Sequence, residues 1–404
     1  MLFILAWRNI WRNKKRSLII IAAITAGLSC GLFASAVMYG MYESMINSTI
    51  DRELGHIQIH SLKFEDEKIL TDTIPDFRNV VFQVRKQSEV KGVSSRTLIE
   101  GMCSSPTSSR GIIIKGIIPD DEKNVTTIQD QIIKGSYFDS GLSAEVIIGK
   151  KLADNLDVKL KSKIVLSFQD FDGNIVYAAF RVGGIFRTES SLYDQSVVFV
   201  KQSDLTSLLG NKEFSHEIAI RLNSFKQVDS VYSKLSKAFP TLSVKDWKLL
   251  APELKVYYEI LDIQLYFFMG IILFALLFGI TNTMLMSVIE RIREIGILIA
   301  LGMKRSKIFS MIILETIALS LVGGFAGLII GVIIVQMVNT TGINLSLFAE
   351  GLSQFGISTI LYPVLPLSFY PIITLMIIVS AVIAAIYPAM KAIKLKPATA
   401  IRTY

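Results

Sequence analysis

Between Arg16 and Glu43 the chain runs for 26 residues without a charged side chain, and no other feature limits its fold so strongly. A hydrocarbon layer about 30 Å thick is crossed by about 20 apolar residues in a helix, so a run of this length predicts a membrane span. Three further runs follow: one between Asp262 and Glu290, one at about 316–337, and one at about 368–390 inside the uncharged stretch from Gly351 to Met390. Composition agrees, with 51% hydrophobic and 19% charged residues and a mean hydropathy of +0.50. With 10 Pro, 26 Gly and 2 Cys in 404 residues, a collagen-like chain, a Pro-rich disordered chain and a disulfide-stapled scaffold are excluded. Cys30 falls in an apolar run and Cys103 in a distant polar region, so no disulfide between them is expected.

The net charge of +8 does not point to nucleic acid once the charges are located. Segment 44–258 holds 28 basic and 27 acidic residues. The remaining 14 basic residues lie in three short flanks: Arg8, Arg12, Lys14, Lys15 and Arg16; Arg291, Arg293, Lys304, Arg305 and Lys307; and Lys391, Lys394, Lys396 and Arg402. Basic clusters beside apolar runs are the positive-inside signal, and four crossings place all three flanks in the cytoplasm. The expected order is a cytoplasmic N-terminus (1–16), helix 1 (17–43), an extracytoplasmic domain (44–258), helix 2 (259–289), a cytoplasmic segment (290–307), helix 3 (308–338), an outer loop with a short interfacial helix (339–366), helix 4 (367–390) and a cytoplasmic C-terminus (391–404). A basic start followed by an apolar stretch and Ala34-Ser35-Ala36 also resembles a cleavable signal peptide. The 26-residue run exceeds the usual apolar region of about 7–15 residues, so an uncleaved span is expected.

Segment 44–258 is long enough for its own core, in one lobe or two. Period-two stretches at 56–60, 110–116, 163–169, 175–182 and 197–200 predict strands, with Asp172-Gly173-Asn174 as a hairpin turn between two of them. Helices are expected at 145–156, 203–210 and 225–238, and helical stalks at 41–54 and 248–262. The fold class is therefore an α+β membrane protein: four transmembrane helices with a large α+β extracytoplasmic domain inserted between helices 1 and 2.

Catalytic constellations are not recognisable. Gly141 and Gly149-Lys150 approach a P-loop, but the spacing is wrong and Lys151 stands where Ser or Thr is required. His56 and His60 sit about 13 Å apart on one face of a strand, so two surface histidines are expected rather than a metal site. His216 offers no orienting partner for hydrolysis. Neither a cofactor nor a metal is expected in this chain. Glu315 is costly beside a span unless paired, and a partner among the Arg and Lys of 290–307 is expected, ahead of a substrate or proton site. Met38, Met41, Tyr42 and Met45 share one helical stripe. With Leu261, Gln264, Leu265 and Phe268 they form a candidate cavity for an apolar substrate; packing between helices of two subunits is the alternative.

The most informative segment is 287–307, which is short, cytoplasmic and amphipathic. Ile297, Ala300 and Leu301 recur at helical spacing, and Gly302 suits a left-handed helix end. Such a helix fits a cleft in another protein, or lies on lipid headgroups as an anchor. Here the chain resembles the FtsX/MacB-type ABC transporter permeases, also called type VII. The likeness rests on Glu290-Arg291-x-Arg293-Glu294-Ile295-Gly296-Ile297-Leu298-x-Ala300-Leu301-Gly302 and on Tyr387-Pro388-Ala389-x-Lys391-Ala392-x-x-Leu395-x-Pro397-x-x-Ala400-Ile401-Arg402. It also rests on Ala6-x-Arg8-Asn9, on Val146–Ala153 and on Val182-Gly183-Gly184-Ile185-Phe186.

That resemblance implies a coupling helix that docks on a cytoplasmic ABC ATPase dimer, which binds the ATP and Mg. Glu290, Arg293, Glu294, Gly296, Ile297, Ala300, Leu301, Gly302, Lys304 and Arg305 inherit the coupling role. It also implies a second permease subunit, identical or related, and a place in the inner membrane. Within the family the chain looks most like the lipoprotein-releasing LolC/LolE permeases, which implies membrane lipids or acylated lipoproteins as substrates and a periplasmic chaperone or adaptor as partner. One departure stands out: where LolC-type proteins carry an extended hook, residues 169–175 form a tight hairpin. MacB-like efflux of a peptide, toxin or drug, and FtsX-like mechanical regulation of a cell-wall hydrolase, are the rival readings.

Overall fold

The computed structural model describes residues 14–64, 69–210 and 213–394. Arg8, Arg12, Lys396 and Arg402 of the basic flanks, and Ala6, Asn9, Leu395, Pro397, Ala400 and Ile401 of the family motifs, lie outside the described residues. The chain divides into two compact units. One takes the residues up to Tyr42, 258–344 and those from Ile360; the other takes Glu43–Tyr257 and Leu345–Thr359.

The first unit is built from α1 (Lys14–Thr49), α2 (Pro252–Glu290), α3 (Ile292–Ala300), α4 (Arg305–Thr341) and α5 (Phe369–Ile393). All but α3 are long and apolar enough to cross a membrane. Apolar side chains gain little by leaving lipid, so such helices associate through close packing at small residues. In α4 these are Gly323, Gly327 and Gly331, at four-residue intervals. A Cβ at Gly323 would lie 3.0 Å from Ile24 Cβ, one at Gly327 3.0 Å from Leu28 Cβ, and one at Gly331 2.7 Å from Leu32 Cδ1. The close approach lets Thr25 of α1 donate its hydroxyl to the Gly323 carbonyl at 3.0 Å. On α5 the buried small residues are Ala381, Ala384, Ala385, Ala389 and Ala392. Two apolar clusters fill the unit: Leu28, Leu32, Leu261, Leu265, Met269 and Ile373 in one, and Ile24, Met284, Val288, Ile295, Ile308 and Leu319 in the other.

The second unit carries one continuous ten-stranded sheet: β1 (Ile57–Ser61), β2 (Val90–Ser104), β3 (Ser109–Ile117), β4 (Ile132–Gly135), β5 (Glu145–Gly149), β6 (Lys163–Gln169), β7 (Ile175–Phe186), β8 (Val197–Lys201), β9 (Glu217–Leu222) and β10 (Leu242–Asp246). Its order is β10-β1-β9-β2-β3-β8-β5-β7-β4, with β6 bridging β2 and β7. The long strand β2 pairs with β9 along its first half and with β6 along its second, so a single strand ties the two ends of the domain. The 172–174 turn closes β6 onto β7, with Gly173 at φ +84°.

Two expectations are corrected here. Of the helix expected at 145–156, only Lys150–Asn155 is helical; Glu145–Gly149 is β5, fully buried between β7 and β8. A short apolar run buried on both faces has no period to read, and the β-branched Val146, Ile147 and Ile148 favour a strand. Likewise His56 and His60 are buried rather than exposed, because β1 lies between β9 and β10 with both faces covered. The loop segment Leu345–Thr359 belongs to this unit through its helix Ala349–Gln354. Ser191 Oγ donates to Ser353 Oγ at 2.8 Å, and Gly356, at φ +67°, passes over Arg52.

Candidate functional site

The amphipathic turn is built from backbone geometry outward. Helix α2 ends at Glu290, Arg291 breaks the helical run, and α3 occupies Ile292–Ala300. It closes with a Schellman motif: the Met303 N–H donates to Leu298 O at 3.0 Å and the Gly302 N–H to Ile299 O at 3.0 Å. This end requires a left-handed residue, which Gly302 supplies at φ +88°.

Beneath the turn, Arg291 Nη1 donates to both oxygens of Glu315, at 2.9 and 3.3 Å. Both side chains are buried, so the expected partner of Glu315 is Arg291, and this pair clamps the base of α3 to α4. Ile295 and Gly296 are buried against the helices behind. On the other side Ile297 is 43% and Leu301 80% exposed, an apolar pair left open among the described residues. Glu290, Arg293, Glu294, Ala300, Gly302, Lys304 and Arg305 are exposed around them. A cleft of about 400 Å³ opens under Ile297 and Leu298, with Met284, Arg291 and Glu315 in its wall. Thus the structure places the expected coupling residues on one turn, all of them exposed except Gly296, which is buried behind it, and adds Arg291 as its brace. Arg291 falls in the segment where the partner of Glu315 is expected, but it is not among the expected coupling residues.

The candidate cavity residues divide differently. Leu261 and Leu265 are buried in the apolar cluster against which Met38 and Tyr42 pack, so these four meet inside one chain. Met41 and Phe268 are half-buried and Gln264 is exposed. Met45 is buried in the other unit.

A second constellation, absent from the sequence reading, lies where α1 ends. Residues Ile50–Leu54 form a single π-helical turn. The Asp51 carboxylate pairs with Arg221 at 2.6 Å, and Asp51 O accepts the Thr127 N–H at 2.9 Å. Glu53 takes Lys115 at 3.1 Å, and Glu53 O accepts from Arg96 at 2.7 Å. Arg96 is fully buried and also donates to the carboxylates of Glu122 and Glu217. Burial alone would lower the pKa of Arg96 and Lys115, but the facing carboxylates more than reverse it and keep both cations charged. Burial likewise works to raise the Glu122 carboxyl, which Arg96 nonetheless holds below its ordinary value. Arg52 lies 5.0 Å above the Tyr193 ring. Trp247, fully buried, starts the short helix leading to α2, and its backbone N–H donates to His56 O at 3.1 Å. The acid-base-acid run Asp51-Arg52-Glu53 directly after a span was the signal available for this root.

The histidines also gain partners. His216, for which no orienting partner for hydrolysis is expected, makes two backbone contacts: it accepts the Leu98 N–H on Nδ1 at 3.0 Å and meets Leu70 O through Nε2 at 2.9 Å. Among the described residues no cluster of His, Cys, Asp and Glu could hold a metal ion.

Four apolar helices, an inserted sheet domain and a braced, exposed turn define a permease-type membrane protein. Residues 17–238 match the MacB-like periplasmic core domain and residues 266–397 the FtsX-like permease C-terminal domain. The chain belongs to the FtsX/MacB family of ABC transporter permeases. Among its relatives is the lipoprotein-releasing system transmembrane protein LolE of Haemophilus influenzae, 22% identical over all of this chain (100%) and 99% of the relative. Another is an ABC transporter permease of Methanocaldococcus jannaschii, 23% identical over 82% of this chain and 83% of the relative. Among solved structures, the extracellular domain of the transporter YknZ from Gram-positive bacteria aligns with a TM-score of 0.34 at 14% identity, covering 47% of this chain and 99% of that one.

Proposed function

We propose that this chain is the permease subunit of an ABC transporter whose separate ATPase grips the α3 turn and, through α1 and α2, moves the inserted domain. The observation that carries this reading is the exposed pair Ile297 and Leu301 on a turn whose base is clamped by Arg291 and Glu315. An apolar face of this kind suits a cleft in another protein. The clamp makes a push on α3 a push on α4 and α2 together. Two copies, or this chain and a related one, complete the transporter, with both termini and the turn in the cytoplasm. In the reconstituted complex, Ile297→Asp or Gly302→Asp abolishes permease-dependent ATP hydrolysis while the chain still inserts. Unchanged hydrolysis in both variants refutes the coupling role.

The substrate we assign is an acylated lipoprotein. The full-length likeness to LolE supports it. So does an exposed apolar face on α2, with Ile263, Phe267, Ile271 and Phe274 all more than half exposed, which suits acyl chains. Photocrosslinkers at Met41 and Gln264 are expected to capture acylated protein. Capture of a cell-wall hydrolase on residues 43–257, with no acylated protein, refutes the assignment.

A further inference from the structure

The second unit holds a cleft of its own. The helix Phe77–Arg85 packs on β2 and the helix Gln202–Leu208 on the neighbouring β3, and about 660 Å³ stays open between them. Phe77, Val81, Phe82 and Ile118 give the cleft apolar walls, and Phe82 and Ile118 are exposed there. Arg78 and Arg85 also line it, but Glu213 takes the first and Asp121 the second, so the charges of the described lining cancel in pairs.

Two polar side chains of the lining are more than nine-tenths buried, Ser95 at 3% and Gln202 at 8% exposure. What the Gln202 amide donates to fixes its orientation. Its Nε2 donates to Phe214 O at 2.9 Å and to Thr97 Oγ1 at 3.2 Å, and a carbonyl oxygen can only accept. Oε1 is thereby turned away from Phe214, and among the described residues it has no hydrogen-bond partner. The Ser95 hydroxyl has none among them either. Neither oxygen belongs to the buried atoms sealed from solvent, and both residues line the cleft. Ser95 and Thr97 are two apart on β2, so they share a face about 7 Å from each other, and Thr97 holds Gln202 beside Ser95 on that face. Apolar walls with a few placed polar groups are the usual make-up of a ligand site.

We propose that this cleft binds a short, extended, uncharged stretch of polypeptide that carries an apolar side chain. Oε1 of Gln202 needs a donor, and the Ser95 hydroxyl can give its proton to an acceptor. A peptide backbone offers both, an N–H and a C=O, and the side chain between them fills the space among Phe77, Val81, Phe82 and Ile118. A sugar fits less well. It asks for a flat aromatic face, but Lys86 Nζ lies 4.1 Å from the Phe82 ring centroid on one side, and Val81 and Ile118 are branched. A charged ligand finds both arginines of the lining already taken. The site goes beyond the substrate assigned above and does not rest on it, since it reads a backbone and one side chain rather than an acyl group.

The test uses the full-length protein in lipid nanodiscs, with empty discs as the blank and no ATPase present. N-acetylated tetrapeptides with a central leucine and a dye on the C-terminal amide are titrated by fluorescence anisotropy. Saturable binding is expected. Methylating the leucine nitrogen removes the N–H meant for Gln202 Oε1 and should weaken binding about three- to tenfold, as for the loss of one hydrogen bond. Ser95→Ala should weaken it by a similar factor, about three- to tenfold. Ile118→Trp, which fills the cleft from its rim, should abolish binding with the melting temperature unchanged. The methylated peptide acts on the parent protein, so the test survives a variant that fails to fold. No saturable binding by the parent protein, or binding that persists in Ile118→Trp, overturns the site. Equal binding of peptides with aspartate or lysine in place of leucine, or of a neutral disaccharide, overturns the ligand class. None of these outcomes touches the coupling role, which the Ile297 and Gly302 variants test through ATP hydrolysis.

Discussion

The clamp under the α3 turn makes a prediction whose size follows from its burial. Arg291 and Glu315 are 9% and 5% exposed and are joined by contacts of 2.9 and 3.3 Å. Removing one member of a buried pair leaves the other charge without compensation, at about 3–5 kcal/mol. Replacing both with apolar side chains of similar volume is close to neutral by the same reasoning. Glu315→Leu alone should therefore open the turn by a factor of roughly one hundred to a few thousand, since each 1.4 kcal/mol is tenfold. The double variant Arg291→Met with Glu315→Leu should recover most of that loss. Amide exchange at residues 292–303, measured in the assembled transporter, reads the local opening directly. ATP hydrolysis in the same samples should fall in the single variant. If the turn carries force only through this ion pair, hydrolysis stays low in the double variant even though protection returns. A single variant as protected as the parent chain would refute the clamp, and a double variant as unprotected as the single one would refute its electrostatic basis.

Other expectations follow from positions already described. Gly302→Ala adds no clash, since no atom lies within 4 Å of the new Cβ, but the backbone sits at φ +88°. Thermal unfolding should report a loss of about 1–2 kcal/mol from the left-handed conformation alone. Gly327→Val drives a branched side chain into Leu28 across a 3.0 Å gap and should cost about 1–3 kcal/mol, seen as a lower melting temperature in detergent. Burial pushes the Asp194 carboxyl up to about 6, so the folded chain holds a proton there that the unfolded chain has lost. Its contribution to stability falls between about pH 4 and 6 and is level above, a slope that Asp194→Asn removes. His56 runs the other way: burial lowers it to about 4, so stability rises with pH between about 4 and 6.5, and His56→Gln flattens that rise.

The long helices were legible because charge is absent from their middles, and the hairpin at 172–174 because Asp-Gly states its own geometry. Gly302 was legible for a similar reason: a helix end after Leu301 needs a residue without a Cβ. Strand β5 was not, because Val146–Ile148 is buried on both faces and shows no alternation. Histidines 56 and 60 were misjudged for a related reason. Strand position fixes which residues share a face but not whether both faces are covered. The root network escaped entirely, since Arg96, Lys115, Glu122 and Glu217 are scattered over some 120 positions and only the sheet brings them to Glu53. Opposite charges in a balanced segment look solvated until a fold assigns them to one interior. The Leu261 and Leu265 positions carry a practical lesson: a stripe of large apolar residues marks a helix face, and burial decides whether anything outside the chain can reach it.

Because residues 345–359 fold with 43–257, the domain is sewn to the rest of the polypeptide by four seams rather than two. A chimera that transplants the domain from another permease by cutting only near 43 and 257 would leave Ser353 and Gly356 facing a stranger's surface. Grafts that carry residues 345–359 along should keep their solubility, and those that omit them should not.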